Sequence, residues 1–79
     1  MTGERLTALK AGTSGIVVGI DGGTSLIKRL DALGIRPGVH ITKQSSQLMR
    51  GPVTIAVGNS QVALGHGMAK KILLNTEHR

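Results

Sequence analysis

KRLDALGIRPGVHITK, residues 28–43, joins two patterns with almost nothing between them. Leu30 and Leu33 belong to a helical periodicity, while Val39, Ile41 and Lys43 alternate with His40 and Thr42 as a half-buried strand does. Between the two lie Gly34, the natural left-handed terminator of a helix, and Pro37, which cannot continue one. The stretch therefore predicts a helix that reverses tightly into a strand. What that helix packs on depends on the rest of the chain.

Upstream, TSLIKRLDAL (24–33) places Leu26, Ile27, Leu30 and Leu33 on one arc at 100° per residue. Thr24 or Ser25 is positioned to accept from the first-turn N–H groups. Asp31 lies outside the arc, within i, i+3 reach of Lys28. Before the helix, SGIVVGID carries Ile16, Val18 and Ile20 alternating with Val17 and Gly19, a strand with apolar residues on both faces. In RLTALKAG (5–12), Leu6 and Leu9 fall on one side and Gly12 ends the segment.

Downstream, Val53, Ile55 and Val57 give the clearest alternation of the chain. Gly58-Asn59-Ser60 turns it back toward Val62 and Leu64 as a hairpin. GHGMAKKILL then reads as a helical turn near 66–71 followed by a short closing strand. Five to six short strands and one amphipathic helix, about 24–33, cannot form a broad layered sheet. They can roll into a small mainly-β barrel, which removes exposed edges. On this reading the helix plugs one end of the barrel with its Leu/Ile face. The chain is one domain, 1–79, with a core of about 5–75 and a tail at 76–79.

Composition narrows the functions available. The 79 residues hold no Cys, so thiol catalysis, thiolate metal sites and disulfides are excluded. There is no Phe, Trp or Tyr, so neither an aromatic groove for proline-rich peptides nor a stacking platform for single-stranded nucleic acid can be built. Neither a leader segment nor a membrane-spanning run is legible, so a soluble chain is expected, and the absence of cysteine fits a reducing cytoplasm. The net charge of +6 invites a nucleic-acid reading, but the longest basic runs are the pairs Lys28-Arg29 and Lys70-Lys71. No specific nucleic-acid site is expected.

Two glycine-rich turns look like nucleotide loops. GIDGGTS (19–25) resembles a phosphate loop of the sugar-kinase and actin class, yet that class needs two large lobes; a turn and a helix start account for every residue. Gly65-His66-Gly67 lacks the βαβ surroundings of a dinucleotide fingerprint. His40, His66 and His78 are the imidazoles, and Glu4, Asp21, Asp31 and Glu77 the only acids. No His-x-His or His-x-x-Glu spacing occurs, so His40 and His66 are at most weak ligands for a divalent ion such as Fe2+ or Zn2+. With no paired carboxylates and no Ser-His-Asp order, no enzyme activity is expected.

What remains is a surface. Arg29 borders the helix arc, where its stem can snorkel over the barrel end, and Lys28 lies on the exposed side. With the Ile35-Arg36-Pro37 turn and the Leu48-Met49-Arg50 turn they form a candidate docking face: Lys28, Arg29, Arg36, Leu48, Met49 and Arg50. Apolar turn residues beside Arg are typical interface material.

The ordered set Leu6, Leu9-Lys10-x-Gly12, Gly15-Ile16-Val17, Arg29-Leu30-x-x-Leu33-Gly34-Ile35-x-Pro37-Gly38, Gly51-Pro52-Val53, Val62-Ala63-Leu64 and Ala69-x-x-Ile72 resembles the ferrous iron transport protein A family. RLxxLGIxPG is its most specific part. Where that family commonly has Arg after Ala-Leu, this chain has Gly65. The resemblance implies an SH3-like barrel, which also occurs in metal-dependent repressors. It further implies a cytoplasmic, non-enzymatic accessory of ferrous iron uptake, with no cofactor of its own. The implied partner is the cytoplasmic GTP-binding domain of ferrous iron transport protein B, and membrane association would come only through that partner. Two other readings stay open at this point: a small basic RNA-binding barrel, and a regulatory domain that senses a divalent metal.

Overall fold

The computed structural model describes residues 3–46 and 51–76. In chain order it has β1 (Glu4–Arg5), a 3-10 turn (Leu6–Ala8), β2 (Ser14–Ile20), α1 (Thr24–Ala32), β3 (His40–Ser46), β4 (Val53–Val57), β5 (Ser60–Leu64), α2 (His66–Ala69) and β6 (Ile72–Thr76). The six strands form one sheet in the order β1-β6-β2-β3-β4-β5. Every neighbouring pair is antiparallel. Register shifts between Val17 and Gly19 on β2, and between Lys43 and Ser45 on β3, bend the sheet. It curls around one core.

The opening stretch folds as a hook. At the end of α1 the N–H of Gly34 donates to the carbonyl of Asp31 and the N–H of Ile35 to that of Leu30, each at 2.9 Å. This paired arrangement satisfies carbonyls that a helix end would leave bare, and it requires the left-handed backbone that Gly34 adopts at φ 87°. Its usual apolar partnership is present: Leu30 and Ile35 are both fully buried. A β-turn follows, closed by Val39 N–H to Arg36 O, with Pro37 leading and Gly38 at φ 96°. The amide of Gly38 donates to the carbonyl of Val17 at 2.7 Å, which seats β3 beside β2.

Two expectations about α1 are corrected. Its four apolar residues do not all enter the barrel: Leu30 is buried and Leu26 half-buried, but Ile27 is 42% and Leu33 40% exposed. Measured from Leu30 around the helix, Ile27 and Leu33 lie about 60° to either side, so a shallow seat covers the centre of the arc and leaves its flanks wet. Nor does Thr24 or Ser25 cap the helix. Gly23 is the N-cap, and no side chain makes a capping bond.

The core is closed instead by elements at its other side. The 3-10 turn lies against α2 and β6, and Leu6, Leu9 and Ala69 join Val17, Ile41, Val53, Ile55, Leu64, Ile72 and Leu74 in one aliphatic cluster. Lys43 reaches into this region and is only 2% exposed. Its ammonium donates to the carbonyls of Leu9 (2.5 Å), Leu6 (3.1 Å) and Thr7 (3.4 Å). Lys43 N–H also donates to Thr13 O at 2.9 Å, and its carbonyl accepts from Gly12 N–H at 2.6 Å. One residue of β3 thus ties down the chain from Leu6 to Thr13. Burial pushes the Lys43 ammonium below its ordinary pKa, and the three carbonyls supply the partners that a buried donor needs.

Candidate functional site

The candidate face is organised by α1. Lys28 and Arg29 are exposed on it, as the helical wheel requires. Arg29 stands one turn before Leu33 and so shares that flank of the helix. The exposed side of α1 therefore presents two cations together with two partly uncovered aliphatic side chains, Ile27 and Leu33. These two belong to the arc that sequence reasoning assigned to the core. Their exposure could have been suspected only from the width of that arc, since one end of so small a barrel has room for little more than a single leucine.

Arg36 is also exposed, but it is engaged. Its Nε donates to Asp31 Oδ1 at 2.6 Å, and Nη2 lies 3.4 Å from the Asp31 carbonyl. Asp31 thus pairs across the helix terminus with Arg36, and not with Lys28 inside the helix. Both side chains are about half exposed, so the pair contributes less than about 1 kcal/mol. It nevertheless fixes where the Arg36 charge sits. Ile35, read as part of the docking turn, is fully buried and belongs to the core. Leu48, Met49 and Arg50 lie outside the described residues.

The GIDGGTS loop serves the fold. Asp21 accepts from Arg5 Nη2 at 3.2 Å while Arg5 Nη1 donates to the carbonyl of Lys70 at 2.7 Å. The Asp21 amide donates to Lys71 O at 2.7 Å. These bonds join the end of β2 to the turn after α2. His40 opens β3 on its exposed side, and His66, half-buried, opens α2. Among the described residues no three His, Asp or Glu side chains gather as a metal centre would require. No helix among them is long and apolar enough to cross a membrane.

The class this defines is a small mainly-β domain: a six-stranded antiparallel curled sheet with an amphipathic helix whose outer side is exposed. Comparison with known proteins agrees on the fold. A crystal structure of the iron uptake regulatory protein FeoA superposes with a TM-score of 0.85 at 30% identity, covering 98% of this chain and all of that one. The Stenotrophomonas maltophilia FeoA, described as a prokaryotic SH3 domain protein and solved with zinc, superposes with a TM-score of 0.74 at 24% identity. That match covers 95% of this chain and 89% of its own. In sequence, a Methanocaldococcus jannaschii protein classed as an Fe(2+) transport protein A is 36% identical over 69 residues, 87% of this chain and 82% of the relative. The FeoA domain model matches residues 4–76. The chain belongs to the FeoA family, whose members are iron-transport accessory proteins, and its fold is the SH3-like barrel expected of it.

Proposed function

We propose that this protein is a non-enzymatic cytoplasmic accessory of ferrous iron uptake. It docks on the cytoplasmic GTP-binding region of the ferrous iron transporter and supports or modulates transport there. Iron is handled by the transporter; this chain contributes a surface, and it meets the membrane only through its partner. The observation that carries the reading is the FeoA-domain match from residue 4 to 76 on a chain whose α1 holds Ile27, Leu33, Lys28 and Arg29 in or near solvent. Exposed aliphatic groups beside exposed cations suit a protein interface with acidic surroundings.

The test is capture of the transporter's cytoplasmic region by the full chain, with GTP analogue, with GDP and without nucleotide, alongside ferrous iron uptake in cells lacking the chain. Binding in at least one nucleotide state together with reduced or misregulated uptake supports the role. Absence of binding in all three states with unchanged uptake contradicts it.

A further inference from the structure

The rolled sheet is expected to remove its exposed edges, but it does not close: among the described residues β1 and β5 remain as two edges, and they are built differently. β1 is two residues long and charged at both, and Arg5 is fixed by Asp21 and the Lys70 carbonyl. Proteins blunt an edge in this way. β5, at the opposite edge, is Ser60-Gln61-Val62-Ala63-Leu64, without charge or proline. It pairs with β4 in unbroken register from Val53–Leu64 to Val57–Ser60, with no bulge.

The direction of the β5 backbone groups follows from neighbouring bonds. Lys43 turns its N–H and carbonyl toward Thr13 and Gly12, on the β2 side. Alternation in an antiparallel ladder then turns Thr42 toward Ala56, its partner on β4, and turns Ile55 toward Val62 on β5. The two-residue Gly58–Asn59 turn demands the same phase, since it is closed by a hydrogen-bonded Val57–Ser60 pair. Gln61 and Ala63 are left with both N–H and C=O aimed away from the sheet. Both residues are exposed, and among the described residues these groups have no partner.

We propose that the β5 edge accepts an extended segment of an acidic protein partner as a seventh strand. The proposal rests on the docking role inferred above and names where the transporter's segment lies. The backbone chemistry calls for a strand. Charge selects its owner: at +6, two copies of this chain repel each other, whereas an acidic segment is attracted. A cation-bearing helix end lies near one end of the edge. Gly34 sits against Val57, the partner of Ser60, so the last turn of α1 with Arg29 adjoins one end. On the inner face Val62 is half-buried beside buried Leu64, which favours an apolar residue of the incoming strand at that level. On this proposal the partner strand lies on β5 and its owner also meets the last turn of α1 near Val57.

The test is a titration of the full isotope-labelled chain with the transporter's cytoplasmic region, following amide exchange. The Gln61 and Ala63 amides are expected to become protected. Ala63→Pro removes an outward N–H while sparing the Val62 and Leu64 bonds to β4, and it should weaken binding about ten-fold or more. If that variant does not fold, protection in the native chain decides. Binding that leaves both amides unprotected, or an unchanged affinity of folded Ala63→Pro, overturns the edge site and leaves the docking role standing. Failure of the native chain to bind in any nucleotide state overturns both. Self-association of the native chain that Ala63→Pro abolishes would assign the edge to a second copy and overturn the acidic partner.

Discussion

The ammonium of Lys43 meets the carbonyl of Leu9 at 2.5 Å inside the core, on a residue that is 2% exposed. The carbonyls of Leu6 and Thr7 complete its surroundings. A tethered cation here organises a turn whose own geometry leaves carbonyls pointing inward. Replacing it with an apolar residue of similar length leaves those acceptors without a donor. Lys43→Met should cost about 2 kcal/mol or more, read as a lowered urea midpoint. A neutral substitution would mean that the methylene stem matters and the charge does not.

The same group gives a signed pH dependence. Burial lowers its pKa from the ordinary 10.5. Approaching that value from below, the folded chain loses this proton first, so the unfolded chain binds more protons and stability rises with pH across the interval. Below the lowered pKa both states are protonated and the cost of burying the charge is constant. The stability of the native chain relative to Lys43→Met should therefore grow between the lowered pKa and 10.5. A flat or falling difference contradicts the burial of a titrating ammonium.

Helix α1 offers a contrast between centre and flank. Leu30→Ala removes a fully buried side chain and should cost about 2–5 kcal/mol. Ile27→Ser and Leu33→Ser act at positions 42% and 40% exposed and should each cost about 1 kcal/mol or less. Thermal unfolding of the three variants checks this. Equal losses at all three would restore the plug geometry.

At the reversal, Gly34→Ala and Gly38→Ala force a side chain onto backbone at φ 87° and 96°. Each should lose about 1–2 kcal/mol by denaturant unfolding, through the left-handed penalty. The Gly34 site has no steric conflict to add, because a Cβ there would meet Val57 at an ordinary 3.5 Å.

Much of the architecture was legible from spacing. Gly34, Pro37 and Gly38 marked the hook, and the alternations at 39–43 and 53–57 marked β3 and β4, because backbone demands of this kind are local. Depth was not legible. A helical wheel says which way Ile27 and Leu33 face, but not that the barrel takes in Leu30 fully and Leu26 in part while leaving those two exposed. The Asp31–Arg36 pair was missed because it crosses the terminator Gly34, where helical spacing no longer counts distance. Lys43 did appear on the inward side of its strand, beside Ile41. Its role was hidden because its partners are backbone carbonyls some 35 residues away, in a turn too short to show a period. The β5 edge was read only as a hairpin arm, since sheet order decides which strand lacks a neighbour.

The most direct test of the docking role is equilibrium binding by calorimetry. The transporter's cytoplasmic region is titrated with the native chain and with the Lys28→Glu/Arg29→Glu double variant. Both cations are exposed, so the variant should keep the native unfolding midpoint while its affinity falls about ten-fold or more. Equal affinity of the two chains would remove α1 from the interface, and no heat from the native chain in any nucleotide state would contradict the docking role itself.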